Sequence, residues 1–336
     1  MSLPRNTVLV GDALEQLRRL PDASVDAVIT SPPYFQLRSY GTDGQYGLEA
    51  HVDDWVGRLH DVCQEIRRVL VPTGSLWLNL GDSYSRHDRS GAPPKSLLLG
   101  PERLVLALVA GGWRLRNHVV WAKTNPMPSS VADRLSCTWE HLFLLTKQTA
   151  YYFDLDSVRV RHRTRPARAG RSSGGAYLPK DWVAPLSHDH GGLGRLKADG
   201  RVGHPLGKNP GDVWHLATAA YSGAHFASFP DRLIERPLQA SCPLRRCGGC
   251  RRPLAARLGR LALEGCDCHR PDEPGVVLDP FFGAGTVGLV AERYRRDWLG
   301  IELNPAFAAL ATNRIAQARP TDPQPARPSA GGGVDA

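Results

Sequence analysis

One ten-residue stretch organises the chain: Val25-Asp26-Ala27-Val28-Ile29-Thr30-Ser31-Pro32-Pro33-Tyr34. Residues 25–30 are mostly apolar or β-branched and predict a buried strand. The two prolines that follow lack backbone N–H groups, so the chain must leave the sheet in a stiff turn. Because open α/β sheets bind ligands at the carboxyl ends of their strands, we expect this turn to carry a binding site.

The side chains of the turn suit a planar heterocycle that carries an exocyclic amine. Ser31 offers a hydroxyl that donates and accepts, Pro32 a free carbonyl, and Tyr34 a flat ring. The simpler interpretation is an ordinary proline-rich turn at the end of a strand. The turn alone favours neither interpretation, so the rest of the chain has to decide.

Strands and helices alternate along most of the chain, which predicts an α/β fold. Pro72-Thr73-Gly74 is expected to separate a helix from the strand after it. The polar loop 35–47 directly follows the turn, and its length favours a functional role. Further strands are predicted at 7–10, 75–80, 113–122, 138–146, 275–279 and 298–302, and helices at 13–20, 52–70, 101–111, 231–240, 286–296 and 305–317.

The composition excludes some classes of protein. The chain has 336 residues and 42% hydrophobic residues, enough for a globular core of about two domains or one large domain with insertions. No apolar run approaches the ~18 residues of a membrane span, and residues 1–6 lack a signal region, so a cytoplasmic protein is expected. A net charge of +9 and a pI near 9.4 favour an anionic partner, nucleic acid first, although Arg-rich composition bias produces the same excess.

The segment 158–208 differs from its surroundings. It holds eleven Lys or Arg residues against three Asp, a local net charge of +8, together with many glycines and little periodicity. Such a composition predicts an insert that is floppy or ordered by a partner. A DNA-contacting insert is favoured because Arg and Lys supply phosphate contacts and guanine readout, and a solvated loop without a partner is the alternative.

A second motif lies near the carboxyl end of the chain: Asp279-Pro280-Phe281-Phe282-Gly283-Ala284-Gly285-Thr286. Its glycines, between a predicted strand and a predicted helix, let a ligand approach the backbone and the helix N-terminus. The next predicted strand ends at Glu302, whose carboxylate suits the two hydroxyls of a ribose. The GxGxxG fingerprint of dinucleotide sites is absent from this run.

Together, the two motifs resemble those of the amino-methylating DNA methyltransferases that use S-adenosylmethionine. The resemblance covers roughly residues 6–150 and 210–318. The catalytic motif precedes the cofactor motif, with a variable region between them, which resembles the β arrangement of the family. The resemblance implies a Rossmann-like S-adenosylmethionine-dependent methyltransferase sheet that is circularly permuted, with a basic DNA-recognition insert and a small Cys-rich insert.

The resemblance also implies a division of the chain and a set of site residues. Residues 1–150 would form the catalytic half, 151–210 the target-recognition insert and 211–318 the cofactor-binding half. Separately, the Pro-, Ala- and Gly-rich composition of 319–336 predicts a disordered tail. Phe282 is bulkier than the small residue or Cys that the family often has there. The implied catalytic residues are Ser31, Pro32, Pro33 and Tyr34. Within the cofactor site, Glu302 would bind the ribose, Asp12 the adenine amine, and Phe229 and Pro230 would lie beside the methionine end. The other implied cofactor residues are Asp279, Phe281, Gly283, Gly285, Thr286 and Asn304.

A Ser-Pro-Pro-Tyr motif is more typical of cytosine N4 methylation in the resembled family, with adenine N6 methylation as the alternative. The target base would flip out of the duplex and stack on Tyr34, while Ser31 and the Pro32 carbonyl hold its amine for in-line transfer. Cytosine C5 methylation is rejected because its cysteine nucleophile usually follows a proline, and no Pro-Cys pair occurs.

The expected partner is double-stranded DNA, in restriction-modification or epigenetic marking, with a cognate restriction endonuclease as a second candidate partner. The protein is expected in the cytoplasm of a bacterium, or of phage origin, as a monomer or homodimer. Two further hypotheses stay open at this point. One is an inactive nucleic-acid-binding protein with the methyltransferase fold, and the other is an RNA or protein amine as substrate.

The cysteines form one more pattern. In a cytoplasmic chain, seven cysteines point to free thiols or metal rather than disulfides. Cys247-Gly248-Gly249-Cys250 and Cys266-Asp267-Cys268 lie within the insert 242–270 and predict a structural zinc site of four thiolates, with Cys242 and His269 as substitute ligands. The alternative is four reduced thiols in a hairpin. The position of the insert suggests a stabilising clip or an added DNA contact.

Overall fold

The computed structural model describes residues 3–161, 204, 206–218, 229–257, 260–262 and 266–319. The chain divides into two compact units, Met1–Phe153 with Asp212–Ala336, and Asp154–Gly211. In the second unit, an isolated bridge pairs Val160 with Lys208. Most of the basic insert predicted at 158–208, and nearly all of the tail predicted at 319–336, lie outside the described residues. The predicted domain boundaries and the circular permutation stay predictions.

The first unit is built on one mixed sheet of eight strands in the order β1-β12-β11-β2-β3-β5-β4-β6. Its strands are β1 (Thr7–Val10), β2 (Val25–Thr30), β3 (Leu70–Leu80), β4 (Arg114–Lys123), β5 (Trp139–Thr146), β6 (Val213–Leu216), β11 (Val276–Asp279) and β12 (Asp297–Glu302). Neighbouring strands pair in parallel except at β5, which is antiparallel to both β3 and β4. Short strands pair in the Cys-rich region as β7 (Arg246–Cys247) with β10 (Asp272–Glu273), and β8 (Ala255–Arg257) with β9 (Arg260–Ala262).

Helices cover both faces of the sheet. They are α1 (Ala13–Arg19), α2 (Val52–Val69), α3 (Gly100–Ala110), α4 (Asp231–Ser241), α5 (Thr286–Arg293) and α6 (Pro305–Ala318). One core cluster joins the sheet to α1, α2 and α3, and a second joins it to α4, α5 and α6. All six residues of β2 are buried, as expected of a central strand covered on both faces. None of the described helices has the length and apolar character needed to cross a membrane.

The predicted helices and the main predicted strands are confirmed within a few residues, but the break predicted at 72–74 is wrong. Strand β3 begins at Leu70, directly after α2, and its pairing with β2 shifts register between Val25 and Ala27. A Cβ on Gly74 would lie 2.9 Å from the Asp26 carbonyl oxygen. Glycine therefore lets the two backbones approach, and the predicted break is an irregularity inside one long strand.

Phe282, the bulky residue in the glycine-rich motif, packs into the core below that motif. Its side chain is 3% exposed and stacks on Trp298 with ring centroids 5.3 Å apart. A Cβ on Gly300 would lie 2.4 Å from Cγ of this ring, and one on Gly288 would lie 2.8 Å from its Cζ. Two glycines thus provide the space that the large side chain fills.

The space around each glycine predicts opposite effects of two Gly→Ala substitutions on the free energy of unfolding. Gly300→Ala should lower the free energy of unfolding by about 1–3 kcal/mol, because the new methyl group overlaps the ring of Phe282. Gly57→Ala, in the interior of α2 where a Cβ meets nothing within 4 Å, should raise it by about 0.5–1 kcal/mol. Urea denaturation of both variants measures the two effects. Equal stability of Gly300→Ala and the unsubstituted protein would contradict the packing.

Candidate active site

The two motifs meet because β2 and β11 are neighbours. These strands pair in parallel, with Val277 opposite Ala27, and Thr30 Oγ1 donates a 2.7 Å hydrogen bond to Asp279 Oδ1. Segments 31–34 and 280–286 therefore leave adjacent strands at the same edge of the sheet. This is the edge at which α/β sheets bind ligands.

A cleft lies at this edge and is open to solvent on one side. Both halves of the chain contribute to its wall, so neither motif forms the cavity alone. The lining residues are Gly11, Asp12, Ala13, Ser31, Pro33, Tyr40, Thr42, Gln45, Tyr46, Phe229, Pro280, Phe281, Phe282, Gly283, Ala284, Thr286, Glu302, Leu303, Asn304 and Phe307. Aromatic walls with a few convergent carboxylates and amides suit a nucleoside-like ligand.

The Glu302 carboxylate is oriented by backbone donors at the mouth of the glycine-rich turn. Its Oε2 accepts a 2.7 Å hydrogen bond from Gly283 N–H, and its Oε1 accepts a 2.9 Å bond from Asn304 N–H. Burial raises the pKa of Glu302, and these backbone donors oppose the shift. Each oxygen keeps acceptor capacity, so the carboxylate can still receive two ribose hydroxyls.

The glycine-rich turn requires its glycines. Gly283 has φ +50° and Gly285 has φ +76°, a region that residues with a Cβ rarely adopt. Gly285 is also the N-cap of α5, and a Cβ there would lie 2.9 Å from Ala311 Cβ. The turn thus connects β11 to α5 through a short, tight segment, and the Gly283 N–H donates to the Glu302 carboxylate.

The loop at 35–47, expected from its length to have a functional role, contributes to the wall of the cavity. Four of its residues line the wall, namely Tyr40, Thr42, Gln45 and Tyr46. Asn304, the N-cap of α6, donates a 3.2 Å hydrogen bond from Nδ2 to Thr42 Oγ1. Asn304, from the cofactor-binding half of the chain, therefore helps to hold the loop 35–47 in place.

Asp12 is another lining residue of the cavity. It is the N-cap of α1 and accepts a 3.1 Å hydrogen bond from Glu15 N–H. Burial first, and then the Asp12 carboxylate, raise the pKa of Tyr46 to about 12, so the tyrosine stays protonated. The Tyr46 ring meets Phe281 edge-on at 5.3 Å, and the Arg58 guanidinium lies 4.0 Å above it.

Tyr34 lies beside the cavity and belongs to a polar network. Its hydroxyl donates a 2.7 Å hydrogen bond to Glu140 Oε2, and Ser31 Oγ lies 3.4 Å from the same hydroxyl. Lys123 Nζ pairs with Glu140 Oε1 at 2.6 Å, and Asn79 Nδ2 lies 3.2 Å from Oε2. Burial, and after it the Glu140 carboxylate, raise the pKa of Tyr34 well above its usual value, so the hydroxyl stays a donor.

The structure also fixes the ring and the turn around Tyr34. A Cβ on Gly81 would lie 2.6 Å from the Tyr34 ring, so glycine lets the ring pack on the end of β3. The Pro33 carbonyl accepts a 2.9 Å hydrogen bond from Trp55 Nε1. Among the described residues, none donates to the Pro32 carbonyl.

Nine of the predicted site residues line the cavity and five do not. Asp279 is 1% exposed and accepts hydrogen bonds from Thr30 and from Phe281 N–H. It therefore positions the turn rather than facing the cavity. The lining residues among those predicted are Asp12, Ser31, Pro33, Phe229, Phe281, Gly283, Thr286, Glu302 and Asn304, and the others are Pro32, Tyr34, Asp279, Gly285 and Pro230.

Sequence reasoning missed the polar network around the Tyr34 hydroxyl. Asn79, Lys123 and Glu140 come from β3, β4 and β5 and meet only in the folded sheet. One signal was available, because Asn79 interrupts the apolar run of its strand and is 3% exposed. A buried amide in an apolar strand needs hydrogen-bond partners.

The four cysteines predicted as ligands form one cluster. The sulfur atoms of Cys247, Cys250, Cys266 and Cys268 all lie within 4.8 Å of one another. Cys242 is buried elsewhere, in the core cluster of α4, α5 and α6, and in the described part of the chain neither it nor His269 belongs to the cluster. The structure therefore brings the four predicted cysteines together without the two substitute residues considered from the sequence.

Comparison with known proteins identifies the family. The model of the DNA methylase family of N6 and N4 methyltransferases matches residues 25–313. The Type II methyltransferase M.Cfr9I of Citrobacter freundii is 35% identical over 331 residues, covering 92% of this chain and 87% of that relative. M.SmaI of Serratia marcescens is 34% identical over 333 residues, covering 93% and 91%. The chain belongs to this family and is a DNA methyltransferase.

Solved structures share the fold. The cytosine-N4-specific PvuII DNA methyltransferase superimposes with a TM-score of 0.58 at 18% identity, covering 94% of this chain and 92% of that one. The DNA modification methylase TTHA0409 of Thermus thermophilus, complexed with S-adenosyl-L-methionine, has a TM-score of 0.52 at 22% identity, covering 94% and 97%. The expectation of a methyltransferase sheet is thereby confirmed.

The buried Asp279 predicts a pH-dependent stability. Burial raises its pKa from 3.8 to about 7, so between these values the folded protein binds more protons than the unfolded chain. The contribution of Asp279 to the free energy of unfolding therefore falls as pH rises from about 4 to 7. Asp279→Asn keeps an Oδ1 acceptor for both hydrogen bonds and has no carboxyl group to titrate. As pH rises through this range, the free energy of unfolding of the variant should therefore increase relative to that of the unsubstituted protein, by about 1–4 kcal/mol.

Urea unfolding of both proteins between pH 4.5 and 8 measures this difference. Asp26, whose pKa burial raises to about 6, is present in both proteins and cancels in the comparison. A stability difference that stays constant with pH would show that Asp279 does not titrate in this range.

Proposed function

We propose that this DNA methyltransferase transfers the methyl group of S-adenosylmethionine to the N4 amine of cytosine at a specific DNA site. One observation carries the proposal: Ser31 and Pro33 line the same cavity as Gly283 and Glu302. A methyl donor held by the glycine-rich turn would therefore lie against the turn that holds the acceptor amine. The named complex of TTHA0409 with S-adenosyl-L-methionine supports the choice of donor.

In this proposal the cavity residues divide the cofactor among them. Glu302 receives the ribose hydroxyls, because its oxygens are already oriented by two backbone N–H groups. Asp12 accepts from the adenine amine, and Phe281 and Tyr46, whose rings meet edge-on, form an aromatic wall for the base. Phe229 lies at the methionine end, while Asp279 and Gly285 set the shape of the turn.

The target base is proposed to leave the duplex and stack on Tyr34. The ring of Tyr34 packs against Gly81, and its hydroxyl is held by the Glu140 hydrogen bond, so it offers a fixed platform. The Pro32 carbonyl and Ser31 Oγ accept from the exocyclic amine. Two acceptors on the amine hydrogens leave the nitrogen lone pair directed at the cavity.

The reaction requires that the amine and the methyl group are positioned in line and that a nearby group accepts one proton. S-adenosylmethionine supplies a methyl group on a positively charged sulfur. The amine lone pair forms the new N–C bond as the C–S bond breaks with its electron pair on sulfur, and nitrogen then loses a proton. Ser31, Tyr34 and Glu140 form a hydrogen-bonded chain from the amine to a carboxylate, which accepts this proton in our proposal.

Cytosine is favoured over adenine by the serine at position 31, the form that resembles N4 enzymes. The PvuII neighbour is also named cytosine-N4-specific, although at 18% identity that likeness concerns the fold alone. Adenine N6 is the second candidate, because the family includes both activities. Since the relatives M.Cfr9I and M.SmaI are Type II methyltransferases, we propose a restriction-modification role with a cognate endonuclease as partner.

The product nucleoside is the first test. The purified protein is incubated with DNA of varied sequence and labelled S-adenosylmethionine, and the DNA is digested to nucleosides for mass spectrometry. Labelled N4-methylcytosine is expected. Ser31→Ala and Tyr34→Ala should each lower its yield by roughly 10²-fold or more, since each removes a contact to the reacting base.

The outcomes separate the candidates. Detection of labelled N6-methyladenine would agree with methyl transfer to DNA but would overturn cytosine as the target base. A lack of label in DNA, with labelled S-adenosylmethionine retained by the protein, would overturn DNA methylation for the sequences supplied. Arg89→Ala, a substitution on the surface turn 88–90, serves as a control that should leave the cofactor affinity unchanged.

A second test addresses the role of Glu140 as the proton acceptor. Glu140→Gln keeps an acceptor for the Tyr34 hydroxyl but removes the negative charge, so the single-turnover methyl-transfer rate should fall by roughly 10²-fold. The affinities for DNA and cofactor should stay within about threefold, since Glu140 contacts neither in the proposal. A rate that falls equally at every pH, together with weaker cofactor binding, would assign Glu140 a purely structural role.

A further inference from the structure

The Cys-rich region carries a site that the methyl-transfer reaction does not use. We propose that Cys247, Cys250, Cys266 and Cys268 bind one structural Zn²⁺ ion, and that the loaded site braces the amino end of β2. The inference stands independently of the choice of target base and of the methyl-transfer chemistry.

The positions of the sulfur atoms fit tetrahedral zinc. Zn–S bonds of about 2.3 Å place tetrahedral sulfur atoms roughly 3.8 Å apart. Cys266 Sγ lies 3.3 Å from Cys250 Sγ and 3.4 Å from Cys247 Sγ, and all four sulfur atoms fall within 4.8 Å of one another. These separations are well beyond the S–S bond of about 2.05 Å in a disulfide. Four thiolates complete the coordination of zinc, and binding releases the thiol protons.

The first pair of ligands lies on a tight turn built for a negative sulfur. Gly249 N–H donates to Cys247 Sγ at 3.3 Å, as backbone amides do around metal-bound thiolates. A Cβ on Gly248 would lie 2.6 Å from the Pro271 carbonyl oxygen, and one on Gly249 would lie 3.1 Å from Cys268 Cβ. The two glycines therefore let this turn approach the segment that carries the second pair of cysteines.

The same region is tied to the centre of the sheet. Arg246, next to Cys247 on β7, is 1% exposed and forms a 2.6 Å ion pair with the buried Asp26 of β2. It also donates to the Ser24 carbonyl at 3.1 Å and pairs with Glu273 of β10 at 2.9 Å. Asp26 in turn accepts a 2.7 Å hydrogen bond from Val276 N–H of β11. A shift of the cysteine turn would thus disturb a buried ion pair.

A second arginine strengthens the attachment. Arg251, directly after Cys250, donates from its guanidinium to the Ala23 carbonyl and, at 3.2 Å, to the Asp22 carbonyl. Both carbonyls belong to the turn that leads into β2. The cysteine cluster therefore lies at the amino end of β2, and Ser31 follows the carboxyl end of the same strand. A four-thiolate site leaves no open position on the metal, and this one lies at the end of β2 opposite Ser31. Both features fit a structural rather than a catalytic ion.

Metal analysis of the purified full-length chain tests the site. Elemental analysis should find about one zinc ion per chain, and X-ray absorption should find four sulfur ligands at about 2.3 Å. Cys250→Ser and Cys268→Ser should lower the zinc content roughly tenfold or more at a micromolar free-zinc buffer. Cys137→Ser, a change to an exposed cysteine outside the cluster, should keep it.

Hydrogen exchange tests the bracing role. Removing zinc with a chelator should lower the melting temperature and speed exchange at the amides of Asp26 and Val276, and added Zn²⁺ should restore both, whereas Mg²⁺ should not. Unchanged exchange at these amides after zinc removal would overturn the bracing role. Fewer than about one zinc ion in ten chains after growth with zinc, or a Cys250–Cys266 disulfide found by mass spectrometry, would overturn the site itself.

Discussion

The parallel pairing of β2 with β11 is the contact on which the site depends. It joins segments that lie 249 residues apart in sequence, and the Thr30–Asp279 hydrogen bond closes it at the carboxyl end. At the amino end, Asp26 accepts from Val276 N–H while paired with Arg246. Two buried carboxylates thus link the same two strands at both ends. Since a buried carboxylate is stable only with its donors in place, the register of this pair is tightly specified.

That register explains why the two motifs act together. A shift of one residue between the strands would reverse the faces of the side chains and separate Ser31 from the glycine-rich turn. The backbone donors on Glu302 and the hydrogen bonds on Tyr34 then orient groups that would otherwise rotate freely. Such preorganised groups suit a transfer reaction that relies on positioning and electrostatics.

The sequence predicted the elements well but not the partners of each site residue. The strand at 25–30, the loop at 35–47 and the glycine-rich turn were predicted because periodicity, prolines and glycines are local signals. Glu140 and Lys123 were missed because each is an ordinary charged residue until β4 and β5 pair beside β3. The break expected at 72–74 was wrong because glycine in a strand can permit close backbone approach as well as end a strand.

By itself, the sequence determined the α/β class, the family resemblance, the order of the motifs and the spacing of four cysteines, because these depend on residue type and local spacing. Only the tertiary structure decided which residues surround the cavity, that Asp279 positions the turn from within the core, that Phe282 packs over Gly300, and that the cysteines form one cluster without Cys242. Most of those facts arise from contacts between segments that are separated in the chain, and the local pattern of one segment does not tell which other segment it will contact.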